Sequence, residues 1–454
     1  MSFRGSEFLG SEPVGRLLMR LSLPAMVGMF VQATYNMVDA LFIGWGVGPL
    51  GLAGTAMAFP VQFLAMAFAT MGGVGGSSLV SRSIGAGDRE TARYAFGNLM
   101  WFAWTFGLIM AVGCHLALGQ ILGLMGASED VLPHGRAYLE VIIWGFPLIM
   151  AGIGMNSTVR AQGRAKLAMA TMLVSAGTNV VLDYVFIFPL GMGVRGAALA
   201  TVISQGVMVV WLMVHFALSG GRMLSIGVRH LVPRWGVLRQ ILGVGSSEFV
   251  RLGASAVVVA LVVRSLQRYG SSDAVAAFGV VNRVVSLAFM PIIGVGQGLQ
   301  PILGYNYGAG KMDRAIRAIK LSLLMASGLS TLAFVLMMIF PREIFSLFTP
   351  EEALIGVGER TLRTMGLGFP VVGFQVAGTG VFQAMGKGLK SFVLSLSRQV
   401  LLFIPLLLVL PPAMGLKGVW LVYPLSDLIS AIITGVMLAL QLRALGRIED
   451  GKVM

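Results

Sequence analysis

Residues 17–44 read LLMRLSLPAMVGMFVQATYNMVDALFIG. A stretch this long and this apolar crosses a hydrocarbon core of about 30 Å as a helix, and an acid far from its ends, Asp39, is costly there unless it has a partner or a task. Similar stretches follow at 50–80, 94–118, 132–157, 166–190, 196–219, 240–266, 273–304, 316–340, 356–382, 391–411 and 416–442. The expected fold is therefore an all-α integral membrane protein with twelve transmembrane helices. Composition agrees: 56% of 454 residues are hydrophobic and 11% are charged, too little polar surface to coat a soluble fold of this size.

The net charge of +14 would suit nucleic acid if it were gathered on one surface. It is instead sorted by connection. Counted from an inside N-terminus, the even-numbered connections carry groups such as Arg160, Arg164 and Lys166, or Lys311, Arg314, Arg317 and Lys320, while the odd-numbered ones lean acidic, with Glu129, Asp130, Glu343, Glu351 and Glu352. The basic balance reads as a topology signal with both termini cytoplasmic, and not as a nucleic-acid site. The polar, acid-containing start at Ser2–Gly15 does not fit a cleavable signal peptide, and no large soluble domain is expected. Cys114 stands alone and the four histidines are dispersed, so neither a disulfide framework nor a cysteine or histidine metal site is expected.

The chain repeats itself. Gly85-Ala86-Gly87 returns as Gly308-Ala309-Gly310 at an offset of 223, Gly145-Phe146-Pro147 returns as Gly368-Phe369-Pro370, and Ala161, Gly163 and Arg164 match Ala384, Gly386 and Lys387. Six spans per half put both halves into the membrane in the same orientation, the parallel-repeat arrangement. The expected division is an N-terminal six-helix bundle at 1–221, an amphipathic surface connector at 222–239, and a C-terminal six-helix bundle at 240–454.

Acids inside spans are functional candidates by default. Gln32, Asn36 and Asp39 recur at helical spacing in span 1, with Tyr35 on the edge of that stripe. Asp183 in span 5 follows Asn179 by one turn, and Thr201 in span 6 and Tyr138 in span 4 offer further oxygens. Two carboxylates in a low dielectric suit one shared proton or one Na⁺, and carboxylate, amide and hydroxyl oxygens are what a hard cation prefers. The plainer alternative is that the acids only hydrogen-bond helices together. At the repeat offset Asn179 and Asp183 fall on Leu402 and Leu406, so the second half lacks this set. It offers Glu248 with Arg251, Asn282, Arg283, Gln297, Gln300, Gln375, Gln383, Arg398 and Asp427, and Glu248 and Arg251 could simply neutralise each other. The 29 methionines suit either a promiscuous apolar cavity or ordinary filling.

Taken together, these features resemble the multidrug and toxic compound extrusion (MATE) family across essentially the whole chain. The resemblance rests on twelve spans in two parallel halves, Pro24 ahead of Asp39, the run Val38-Asp39-Ala40-Leu41-Phe42-Ile43-Gly44, the two Gly-Ala-Gly loops, and Asn179 and Asp183 before Thr201. It implies a V-shaped pair of six-helix bundles that exports cationic amphipathic compounds against Na⁺ or H⁺ by alternating access, with no enzymatic step and no cofactor beyond the coupling ion. By the same resemblance Asp39, Asn179, Asp183 and Thr201 look like the cation or proton site, with Tyr138 beside it, and Pro24 like the point at which span 1 bends. Gln32, Tyr35, Asn36, Glu248, Gln297 and Gln375 are the expected substrate-cavity residues. Glu248 matches an acid of the NorM-like branch, but the span-10 acid of that branch is missing near Val372, so the DinF-like or MepA-like branches fit better. The implied setting is a prokaryotic cell (inner) membrane, a monomer in the lipid bilayer with small-molecule cargo. A lipid-linked saccharide flippase of the same wider superfamily is the alternative, and it would draw on Arg251, Arg264, Arg283 and Arg398.

Overall fold

The computed structural model describes residues 6–126, 128–218, 224 and 227–449, and among them all regular structure is helical. The membrane-length segments are α1 (Val14–Gly46), α2 (Pro49–Gly85), α3 (Arg89–Leu116), α4 (Leu132–Ala161), α5 (Ala165–Ile187), α6 (Gly193–Leu218), α7 (Trp235–Tyr269), α8 (Ser272–Gly308), α9 (Met312–Ile339), α10 (Glu352–Gly366 and Phe369–Ala384), α11 (Gly388–Met414) and α12 (Leu416–Arg447). Most begin before the expected spans because helices continue beyond the hydrocarbon region into polar ends, while α3, α5, α6 and α9 end one to three residues earlier than expected.

Two helices depart from the plain reading. The expected single span at 356–382 is two helices meeting at 49°. Pro370, at the start of the second one, has no N–H to return to the Gly366 carbonyl. The matching Gly145-Phe146-Pro147 follows a 3₁₀ turn at Ile143–Gly145, so both halves distort at the same repeat position. In α11, Ser397–Phe403 is π-helical, just before Pro405, which likewise leaves a carbonyl one turn back without its usual donor.

The repeat is also visible in the backbone. Gly87 (φ 77°) and Gly310 (φ 70°) end the Gly-Ala-Gly loops in the left-handed region, as do Gly163 (φ 81°) and Gly386 (φ 73°) after α4 and α10. Asp88, just after the first loop, caps α3 by accepting from the Thr91 N–H at 2.9 Å, which holds its carboxyl below the usual range. That cap stabilises α3 above the ordinary carboxylate range and is lost as pH falls through the lowered value.

Contacts divide the chain into unit 1, Met1–Phe8 with Val27–Gly245, and unit 2, Leu9–Met26 with Ser246–Met454. Thus α1 opens in unit 2 and passes to unit 1 just after Pro24, while α7 opens in unit 1 and passes to unit 2 at Ser246. In unit 1 the opening of α7 lies backbone to backbone on α2. A Cβ on Gly75 would stand 1.8 Å from the Ile241 carbonyl oxygen, and one on Gly245 would stand 1.9 Å from that of Met71. In unit 2 the opening of α1 lies on α8 in the same manner, with a Cβ on Gly298 reaching 2.2 Å from Ser22 Oγ. Small residues make these contacts because, in lipid, helices associate by close packing and not by escape from water.

Of the expected connector at 222–239, residues 222, 223, 225 and 226 lie outside the described residues. Its later part is held on α3. Asn98 Nδ2 donates to the carbonyls of His230 and Val232, both at 3.1 Å, and Asn98 Oδ1 accepts from the Arg234 N–H at 2.6 Å. The Arg234 guanidinium lies 3.3 Å over the Tyr94 ring. Since α7 already begins at Trp235, the segment before it is shorter than hydropathy suggested.

Candidate functional site

The register of α1 against α5 builds the site. A Cβ on Gly28 would touch Met172 Sδ at 3.0 Å, and one on Gly46 would stand 2.2 Å from Ile187 Cγ2, so the two helices approach closely at both positions. Between these contacts the parallel register brings Asp39 level with Asp183. One turn beyond, Phe42 packs edge-on against Tyr184 (6.4 Å between centroids) and Phe188 (5.8 Å), which fixes the two helices in rotation as well as in height.

The carboxyl groups of Asp39 and Asp183 lie close enough to interact electrostatically, an arrangement that favours a proton or a cation between them. Asp183 is fully buried. Asn179, also buried, lies with its Nδ2 3.5 Å from Thr201 Oγ1 on α6. Tyr138 on α4 is buried, and its hydroxyl accepts from Gln62 Nε2 on α2 at 3.3 Å. Both Tyr138 and Tyr35 lie within electrostatic reach of the two acids.

What these groups lack defines the chemistry. Among the described residues no N–H or O–H donates to Asp39 Oδ1, to either carboxylate oxygen of Asp183 or to Asn179 Oδ1. Neither acid takes part in an ion pair with a Lys, Arg or His among the described residues. A buried polar group left without a partner costs about 1–3 kcal/mol, and more when charged. One proton on the pair, or one monovalent cation among these oxygens, removes that cost. The arrangement suits reversible occupancy because, among the described residues, no Lys, Arg or His side chain neutralises it.

The other residues singled out from the sequence are dispersed. Gln32 is half-buried and Asn36 is exposed on α1, and Pro24 lies within that helix. In unit 2, Gln297 is half-buried on α8 beside the Gly298 packing point. Glu248 is paired with Arg251 (2.6 Å) and accepts from Gln383 Nε2 (2.9 Å), which matches the neutralised reading of that pair. Gln375, expected in the cavity lining, is 3% exposed and donates to Ser430 Oγ, which ties α10 to α12, while its Oε1 has no hydrogen-bond partner among the described residues. Gln62 was missed, since a neutral amide carries no burial signal in sequence strong enough to single it out.

The Gly46 contact gives a direct test of the register. Gly46→Ala is expected to push α1 off α5 and to weaken cation-dependent transport at least severalfold. Ile187→Ala, which removes the colliding Cγ2, should restore much of it in the double variant. Additive losses in a double-mutant cycle of transport rates would show that the contact does not set the site.

A family profile described as MatE matches residues 24–185 and 254–409. The multidrug export protein MepA of Staphylococcus haemolyticus (strain JCSC1435) is 26% identical over 415 residues, 91% of this chain and 90% of that protein. Among solved structures, the outward-facing form of a multidrug resistance MATE family transporter of the MOP superfamily superposes with a TM-score of 0.91 at 26% identity, covering 98% of this chain and 99% of that one. A MOP superfamily transporter from Pyrococcus furiosus, described as having a binding pocket of reverse polarity, also gives 0.91, at 27% identity and the same coverage. With the profile spanning most of both repeats and the fold matched over nearly its whole length, the chain belongs to the MatE family of multi-pass membrane transporters and is not an enzyme.

Proposed function

We propose that this transporter exports cationic amphipathic compounds in exchange for Na⁺ or protons by alternating access. The carrying observation is the set of oxygens on Asp39, Asp183 and Asn179 that, among the described residues, have no hydrogen-bond partner and no Lys, Arg or His ion pair. In this reading Asp39, Asn179, Asp183 and Thr201 hold the coupling ion and Tyr138 packs beside it. Gln32, Tyr35 and Asn36 on α1, with Glu248 and Gln297 in unit 2, meet the cargo. A monovalent cation entering down a potential of about 100 mV contributes about 2.3 kcal/mol to export. Pro24 lets α1 bend between the empty and occupied states. The relatives named as multidrug export proteins support drug export, and the basic connections support an orientation with both termini cytoplasmic; in this reading the protein acts as a single chain in a prokaryotic cell membrane.

The saccharide-flippase alternative draws on a free basic set. Arg251 and Arg398 are held in ion pairs, at 2.6 Å to Glu248 and 2.7 Å to Asp427, which weighs against it. The test is transport in proteoliposomes with a Na⁺ gradient and a pH gradient imposed separately while efflux of a cationic dye is followed. One gradient should speed efflux at least about tenfold, equivalent to about 1.4 kcal/mol. Efflux indifferent to both gradients would refute ion-coupled export.

A further inference from the structure

Three acids within the helices of unit 2 differ from Asp39 and Asp183 in that each, among the described residues, has its own guanidinium. Arg398 Nε donates to Asp427 Oδ1 at 2.7 Å, Arg251 Nη2 to Glu248 Oε2 at 2.6 Å, and Arg363 lies 2.9 Å from Glu359. The Arg398–Asp427 pair is the most informative because the repeat supplies its counterpart. Arg398 corresponds to Ser175 at the offset of 223, and Asp427 corresponds to Gln205 at the offset of 222 that matches Gly193 and Gly196 to Gly415 and Gly418. Ser175 Oγ donates to the carbonyl of Ser204, the residue before Gln205, at 3.0 Å. The two helices thus meet at the same repeat position in both units, but unit 2 has a charged pair where unit 1 has neutral side chains. Moreover, Arg398 stands one turn before Leu402, the counterpart of Asn179.

The surroundings hold the pair in place. The Asp427 side chain is 6% exposed and that of Arg398 is 22% exposed. Asp427 Oδ2 lies against Gly368 at the α10 bend, within 2.9 Å of where a Cβ would stand. The Tyr423 phenol faces both charges from α12, and the Phe289 ring of α8 lies 5.5 Å from the Arg398 guanidinium carbon. Around Glu248 the facing groups are Arg251, Gln383 and Ser247. A guanidinium keeps its proton at any physiological pH, and as a tethered neighbour it is always at hand, so neither Na⁺ nor a proton in solution competes with it for the carboxylate.

We propose that Arg398 is a built-in counter-cation that closes the Asp427 carboxylate to exchangeable ions and so confines coupling-ion exchange to the Asp39–Asp183 centre. The coupling consequence, a single exchange centre per chain, rests on the antiport reading above; the role of Arg398 does not. A buried carboxylate deprived of its arginine needs another cation, and Na⁺ and the proton are the two that the antiport reading supplies.

The experiment uses the full-length protein in lipid nanodiscs and counts bound radioactive Na⁺ and protonated carboxyls, the latter by infrared titration. Arg398→Gln should gain one Na⁺ site or one titrating carboxyl per chain. The gain should vanish in Arg398→Gln/Asp427→Asn and be absent in Arg398→Lys. Thermal stability gives a second measure for a weakly folded variant: the melting temperature of Arg398→Gln should rise with added Na⁺ or falling pH, and that of the double variant should not. A folded Arg398→Gln that gains neither, or an equal response in both variants, overturns the proposal. So does wild-type exchange that survives Asp39→Asn/Asp183→Asn and disappears when Arg398→Gln/Asp427→Asn is added. Wild-type protein that binds no exchangeable cation would sink the antiport reading, while the Arg398→Gln comparison would still decide the role of the arginine.

Discussion

Asparagine at Asp39 or at Asp183 is expected to abolish gradient-driven efflux while leaving the protein folded and in the membrane. The substitution keeps the shape of the side chain and removes the charge that has no resident partner, so it relieves an electrostatic cost in the empty state. What is lost is the charge-assisted contact to the ion, worth about 1.5–3 kcal/mol, or roughly a tenfold to hundredfold drop in occupancy. Because the two acids share one proton or cation, the double variant should be no worse than either single one; groups acting as a unit are not additive. The measurement is dye efflux in proteoliposomes under the effective gradient, with melting temperature recorded in parallel. Undiminished coupled efflux in both single variants would remove the acids from the coupling mechanism.

Gly75→Ala is expected to be the most damaging small substitution in the chain for stability. Its new methyl would stand 1.8 Å from the Ile241 carbonyl oxygen and 2.7 Å from the carbonyl carbon, and both are backbone atoms that cannot rotate away. The opening of α7 would have to lift from α2 along with the Gly245 contact on Met71. Overpacking of this kind typically costs about 1–3 kcal/mol and can cost more. Gly328→Ala in α9 is the matched control. Nothing lies within 4 Å of its Cβ position, so alanine there should be neutral or stabilising by up to about 1 kcal/mol. Detergent-solubilised melting temperatures compare the two, and equal values would mean that the α2–α7 approach is not a tight one.

Why some of this was legible in the sequence and some was not follows from the physics of lipid. Spans announce themselves because nothing but a long apolar run can cross, and Asp39 and Asp183 stand out because acids within such runs are rare. The loop glycines Gly87 and Gly310 were legible as a repeated motif because their backbone conformation demands glycine. The passage of α1 and α7 from one unit to the other was not legible. It depends on Gly75, Gly245, Gly294 and Gly298, which in sequence look like any of the 61 glycines. For Gln375 the sequence is silent for a related reason: a polar residue in a span that donates to Ser430 on a neighbouring helix reads the same as one facing an open cavity. The Arg398–Asp427 contact joins residues far apart along the chain, and charge alone does not tell which arginine meets which acid.

The exchange of helix openings bears on how this protein can be taken apart. A fragment ending near residue 221, the natural cut suggested by the internal duplication, would lack the segment of α7 that covers Gly75 and would carry a Leu9–Met26 arm whose packing partners on α8 belong to the missing piece. The two halves are alike in sequence, yet each compact unit is completed by a strip drawn from the other half, so a cut near residue 221 leaves both pieces with packing surfaces whose partners lie on the other piece.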